Sequence, residues 1–144
     1  MSLCKILDMD TSSQKSKYTI GNKGEMFLID KLKTRGFELY GKNIKYINAE
    51  IDVVMYKYDP IKYVLEIRII EVKTRGSYQF DLESFGIQKK WGHIRAYMFE
   101  IKEKVEARFD VLSYSHVHFD LALVRYKGES LSLYSYIKEV NLLL

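Results

Sequence analysis

Between Phe37 and Tyr136 most of the chain reads as short runs in which apolar side chains alternate with polar ones or follow each other unbroken. The strongest of these is Val64 to Arg75. It is rich in β-branched and aliphatic residues, holds neither Gly nor Pro, and follows the turn signal Asp59-Pro60, which together predict a long strand. Side chains on a strand alternate between faces, so Leu65, Ile67, Ile69, Glu71 and Lys73 share one face, and Val64, Glu66, Arg68, Ile70 and Val72 the other. The first face is apolar until it ends in a carboxylate and an ammonium. Charges at the end of a packing face need a partner or a ligand, because burying them alone is costly.

Two intervals break the strand rhythm. Leu28, Ile29 and Leu32 form the inner stripe of a predicted helix that Asn22 caps and Gly36 stops. Glu25 lies three, four and seven residues before that stripe, so it points toward whatever the helix packs on. Its bland alternative is a first-turn acid that favours the helix dipole. Ile94, Met98, Ile101 and Val105 mark a second helix over Ile87 to Ala107, preceded by a polar, turn-like stretch from Ser77 to Gly86.

The remaining strands follow in order. Phe37 to Ile47 is a first strand, broken at Gly41-Lys42-Asn43, and Ile51 to Tyr58 a second, apolar on both faces after Asp52. Arg108-Phe109-Asp110-Val111 opens a fourth, His116 to Tyr126 forms a fifth, and Leu131 to Tyr136 closes the sheet after a turn at Gly128-Glu129. Residues 1–17 show no periodic apolar pattern and are expected to be a flexible segment, with a short structured piece around Ile6-Leu7. The fold class expected is therefore α/β, a central mixed sheet flanked by helices, in a single domain over residues 18–144.

Composition narrows the setting. A chain of 144 residues that is 47% hydrophobic suits one domain with a sizeable core. No apolar run approaches the roughly 20 residues needed to cross a bilayer, and the N-terminus has no apolar region of signal type, so a cytoplasmic protein without a membrane partner is expected. The one cysteine, Cys4, excludes an internal disulfide and a cysteine-based zinc site. Lysine and arginine outnumber aspartate and glutamate 23 to 19, giving a net charge of +4, which is compatible with a polyanionic partner without requiring one. Twelve tyrosines suit a β-rich fold before they suggest base stacking.

The chemistry turns on spacing. Acid-x-lysine occurs twice, in Glu71-Val72-Lys73 and Glu100-Ile101-Lys102. The second falls in the predicted helix, where residues two apart diverge. The first falls on a strand, where two residues span about 6.6 Å and both heads can reach one bound group. With Asp52 at the start of the second strand, this set suits metal-assisted phosphodiester hydrolysis. Asp52, Glu71 and the Val72 carbonyl are hard oxygen ligands for Mg²⁺, or Mn²⁺, Lys73 handles the attacking water or the scissile phosphate, and Glu25 adds a carboxylate from the helix. The basic front of the second helix, with Lys89, Lys90 and Arg95, together with Arg75, is a candidate nucleic-acid edge, its alternative being an ordinary solvated face. His116, His118 and Asp120 share a strand face and are a weaker candidate metal set.

At these residues the sequence resembles a known family. Gly21-Asn22-Lys23-Gly24-Glu25, Ala49-Glu50-Ile51-Asp52, Glu71-Val72-Lys73-Thr74-Arg75 and Arg108-Phe109-Asp110-Val111 look like the successive motifs of the YraN-like uncharacterised proteins. Those are similar to archaeal Holliday-junction resolvases and belong to the PD-(D/E)xK nuclease superfamily. The resemblance spans about Ile20 to Leu123, with Ala49 where the family usually has glycine. It implies a restriction-endonuclease-like core and a Mg²⁺ site on Asp52 and Glu71, with Lys73 and Glu25 beside it. It also implies action on DNA rather than RNA, branched or single-stranded, and raises a homodimer as an expectation. Two other functions compete: a nucleic-acid-binding module that does not cut, and a protein-interaction domain using the aromatic strands and Leu142-Leu143-Leu144.

Overall fold

The computed structural model describes residues 12–77 and 87–138. Helix α1 (Ser12–Thr34) is followed by strands β1 (Glu38–Lys45), β2 (Glu50–Asp59) and β3 (Val64–Arg75). Helices α2 (Ile87–Arg95) and α3 (Met98–Glu106) lead to strands β4 (Tyr114–Lys127) and β5 (Ser130–Ile137). The five strands form one sheet in chain order, β1-β2-β3-β4-β5. β1, β2 and β3 are an antiparallel meander, β4 runs parallel to β3, and β5 returns antiparallel to β4. The parallel step needs a crossover, and α2 and α3 supply it. This is the α/β architecture expected, a mixed sheet flanked by helices.

β3 is central, hydrogen-bonded on both sides and buried on both faces. On one face Leu65, Ile67 and Ile69 pack with Val54, Leu121, Trp91, Ile94, Ile101 and Val105, so α2 and α3 cover it. On the other, Ile70 and Val72 pack with Val53, Met55, Ala122, Val124 and the α1 stripe Leu28, Ile29 and Leu32. Both acids of interest, Asp52 and Glu71, have the parity of the α2–α3 face. They sit where that core ends.

Several boundaries differ from those read in the sequence, each for a visible reason. α1 begins at Ser12, not at a cap on Asn22. No Gly or Pro interrupts Ser12 to Ile20, and the Asn22 side chain instead accepts a hydrogen bond from Lys42 Nζ at 3.1 Å. Residues 12–17 of the segment expected to be flexible thus form the first turns of α1, while residues 1–11, including Cys4 and Ile6-Leu7, lie outside the described residues. The interruption in the first strand is a bulge between Leu39 and Gly41, followed by Asn43 in the left-handed region at φ 52°.

The expected second helix is two. Tyr97 bonds back to the Ile94 carbonyl at 2.8 Å, stacks on Tyr46 with centroids 4.0 Å apart, and donates its hydroxyl to Asn48 at 2.7 Å, which turns the chain between α2 and α3. Arg108-Phe109-Asp110-Val111 is not a strand. The Arg108 and Phe109 amides close a turn on Val105 and Glu106, and the Phe109 ring packs against Tyr56 and Tyr58, so tertiary contact overrides β propensity. Residues 78–86 and Leu142-Leu143-Leu144 lie outside the described residues. Among those described, no helix is long and apolar enough to cross a membrane.

One glycine sets how closely α1 approaches the sheet. A Cβ on Gly24 would stand 1.9 Å from Thr74 Oγ1, so only glycine lets the helix cross the end of β3 at this depth, with Glu25 next in line. At Gly21, one turn earlier, an added Cβ would meet nothing within 4 Å. Gly24→Ala is expected to cost about 1–3 kcal/mol by overpacking despite its better helix propensity. Gly21→Ala should be neutral or stabilising by up to about 1 kcal/mol. Urea unfolding of the two variants separates these outcomes, and equal effects would show that α1 is not held against Thr74.

Candidate active site

The groove begins where β2 and β3 part. The final pair of the ladder on this side is Val53 with Ile70, so Asp52 and Glu71 are the next residues on neighbouring strands. Asp52 Oδ2 accepts a hydrogen bond from the Val72 amide at 2.9 Å, which fixes its carboxylate across the end of the ladder. In an antiparallel pair a residue's N–H and C=O face the same neighbour, so the Val72 carbonyl looks toward the same edge. Glu71 is 3% exposed, Lys73 extends beside it, and Lys73 Nζ lies 3.2 Å from Glu71 Oε1. Glu25 reaches the same space from α1. Glu25, Asp52, Glu71, Val72, Lys73, Thr74, Arg75, Lys90 and Tyr126 line one groove of about 570 Å³.

The residue that sequence position places at a nucleic-acid edge, Lys90, is turned inward by the fold. Its ammonium forms an ion pair with Glu71 Oε2 and stands 3.7 Å from Asp52 Oδ1, bridging the two acids. Its i+4 neighbour Ile94 is buried, as is Trp91, and that helical phase carries Lys90 to the sheet. Of the other three candidate contacts, Arg75 lines the groove, whereas Lys89 and Arg95 are exposed on α2 and do not. Two further residues went unnoticed in the sequence. Asn43 hydrogen-bonds Glu25, and the Lys42 charge acts on it. Both are delivered by the β1 bulge, for which Gly41-Lys42-Asn43 was the only local signal.

Burial is the largest influence on Glu71 and Glu25. It raises Glu71, the Asp52 charge adds to the rise, and Lys90 and Lys73 offset only part of it, leaving the carboxyl at about 7. Glu25 is also raised, by burial and then by Asp52, against the Asn43 hydrogen bond and the Lys42 charge. Its Oε2 is buried with no hydrogen-bond partner, a cost seldom left unmet. The Asp52 and Glu71 carboxylates and the Val72 carbonyl are the hard donors that Mg²⁺ or Mn²⁺ prefers, so the residues present fit such an ion, with Glu25 beside them. Among the described residues no three His, Cys, Asp or Glu form a set able to hold a metal by themselves, so the carbonyl matters. The His116-His118-Asp120 alternative fails that same criterion. Asp120 is fully buried and committed to Arg68 Nη1, at 3.1 Å, and to the Tyr136 hydroxyl, at 2.5 Å.

Fold and groove together define an α/β protein with an acid and lysine cluster at the carboxyl end of its central strand. The chain belongs to the uncharacterised protein family UPF0102, whose model matches residues 24–114. It is 33% identical over 100 residues to UPF0102 proteins of Dictyoglomus turgidum (strain DSM 6724 / Z-1310) and Dictyoglomus thermophilum (strain ATCC 35947 / DSM 3960 / H-6-12), an overlap of 65% of this chain and 80% of each relative. This is the YraN-like family to which the sequence motifs point.

The raised carboxyls make stability depend on pH. Between the unfolded value of 4.5 and about 7, native Glu71 holds a proton that the unfolded chain has released, so stability falls as pH rises through that window. Glu25 acts in the same direction. In metal-free buffer the wild type should lose up to about 3 kcal/mol between pH 4.5 and 8, most of it absent in Glu71→Gln. Denaturant unfolding at both pH values checks this, and an unchanged slope in the variant would place the dependence elsewhere.

Proposed function

We propose that this protein is a metal-dependent nuclease that hydrolyses phosphodiester bonds in DNA, branched or single-stranded, in the manner of the PD-(D/E)xK superfamily and its resolvase relatives. The observation that supports the reading is the convergence of Glu25, Asp52, Glu71 and Lys73, from three separate elements, on one groove. Asp52, Glu71 and the Val72 carbonyl would hold Mg²⁺ or Mn²⁺, which when bound lowers the pKa of its water and neutralises charge growing on the phosphoryl group. Lys73, at the mouth, holds the scissile phosphate or orients the attacking water. Glu25, whose carboxyl is raised by burial, would accept a proton from the attacking water once ionised. Arg75 offers a phosphate contact at the rim. A cytoplasmic setting accords with this role, and a homodimer would allow two strands of a branched substrate to be cut together.

A second reading is a binding module that does not cut. It is favoured by Lys90, which already supplies Asp52 and Glu71 with a positive charge. An ion and this ammonium compete for the same oxygens, and their competition can be measured. Calorimetric titration of Mn²⁺ should show one site in the wild type, tighter binding in Lys90→Ala, and none in Asp52→Ala. No binding in either of the first two would leave the module reading. For catalysis, Asp52→Ala or Lys73→Ala should abolish Mg²⁺-dependent cleavage of a labelled DNA junction, a loss of about a hundredfold or more, with folding and DNA binding retained. Undiminished cleavage by both purified variants would remove the nuclease proposal.

A further inference from the structure

The candidate active site is electrostatically balanced, with Glu25, Asp52 and Glu71 facing Lys73, Arg75 and Lys90. The chain's surplus charge lies elsewhere. On the α1 face of the sheet, at the C-terminal end of that helix, two hollows of about 270 and 440 Å³ lie side by side with Lys57 and Glu66 as their common wall, and together make one cationic groove surface. It is lined by the cations Lys31, Arg35, Lys57, Lys62, Arg68 and Lys138 and by two acids, Asp59 and Glu66. Arg68 is buried and ion-paired with Asp120, so six cations face three acids, an excess of three.

The acids are already engaged. Asp59 accepts the Ile61 and Lys62 amides at 2.9 and 3.1 Å, and Glu66 accepts Arg68 Nε at 2.9 Å. Lys31, Arg35, Lys57, Lys62 and Lys138 are exposed. Complementing the dipole at the C-terminus of α1 would account for Lys31 but not for Lys57, Lys62 and Lys138, which come from β2, the following turn and the end of β5. Like charges gathered from separate elements repel one another, and a polyanion lying among them would relieve that repulsion.

Rings flank the same groove. Val64 pairs with Tyr114, Glu66 with His116 and Arg68 with His118, so these three side chains of β4 lie on the face that the cations line. Tyr114 is 53% exposed, its ring centroid is 4.9 Å from His116, and His116 is 5.9 Å from His118. Tyr136 and Phe37 line the groove at its other end. From β2 to β5 the groove crosses three strand spacings, about 14 Å. A duplex would use the phosphate contacts alone, whereas unpaired bases would use the rings as well.

We propose that this face binds single-stranded nucleic acid, its cations tracking the phosphates and Tyr114 and His116 stacking on bases. The inference is independent of whether the acidic groove hydrolyses anything. It is tested in EDTA, where no cleavage intervenes, by the anisotropy of a labelled thymidine oligonucleotide of about twelve nucleotides as salt is raised, beside a duplex of equal length. Arg35→Glu with Lys138→Glu should weaken single-strand binding about tenfold or more and flatten the salt slope by about 1.4. Tyr114→Ala with His116→Ala should weaken it about fivefold or more, with the slope and the duplex affinity unchanged. The proposal is overturned if the charge reversals leave affinity and slope intact, or if removing the rings weakens duplex and single strand alike. Folding of each variant is verified by thermal melting, and all four substituted positions of the two pairs are exposed.

Discussion

A carboxylate at the end of the central strand, Glu71, is buried to 3% exposure next to a second acid, and the elements around it are arranged to make that tolerable. An isolated ionised carboxylate in such a place would protonate or unfold its surroundings, because desolvation outweighs any single contact. Here the Lys90 and Lys73 ammoniums face it, and Asp52 is tied to the Val72 amide, so the two acids cannot separate to relieve their repulsion. The arrangement stores an appetite for positive charge at one spot. That is the physical property a hydrolytic metal site needs, whatever finally satisfies it.

How far the sequence disclosed this depends on the kind of geometry involved. Glu71 and Lys73 were legible because strand parity is rigid: two residues apart means the same face. Glu25 was legible through its three-, four- and seven-residue offset from Leu28, Ile29 and Leu32, even though the helix starts well before Asn22. Neither inference depends on a boundary. Asp52 was visible as an acid opening an otherwise apolar strand. Lys90 was not, because its role follows from the phase of α2 and from the turn at Tyr97 that separates α2 from α3, a turn made by tertiary contacts with Tyr46 and Asn48. The depth at which α1 crosses β3 was equally hidden, since nothing local to Gly24 names Thr74 as its neighbour.

The two faces of the sheet divide the electrostatics. Around Glu71 cations and anions cancel, which favours short-range chemistry over long-range attraction. On the far face the positive excess is exposed, and an exposed excess attracts a polyanion from a distance while contributing little selectivity by itself. If the far face captures a polyanion and the acidic groove carries out chemistry, keeping them apart avoids a conflict. A groove basic enough to draw in phosphates would also hold down the carboxyls that the acidic site keeps raised.

The weakest link in this scheme is mechanical. α2 is a nine-residue helix, shorter than a helix that would persist alone in water, and it carries Gly92 in its interior. Its position therefore comes from packing, chiefly from Trp91 and Ile94, both essentially unexposed. The indole Nε1 has no hydrogen-bond partner, so Trp91 is held by apolar contact and ring packing, including Phe119 at 6.1 Å, with no polar tether. Trp91 and Ile94 thus fix the position of α2 by shape and apolar contact, without a side-chain hydrogen bond of their own. Lys90 rides on that helix one residue before the indole, and a lysine reaches its target along a flexible stem. The positive charge facing Asp52 and Glu71 is thus the most easily withdrawn part of the site, while both acids stand on strands of the sheet. That asymmetry would let an incoming cation, were one to bind, replace the ammonium without rebuilding the acids.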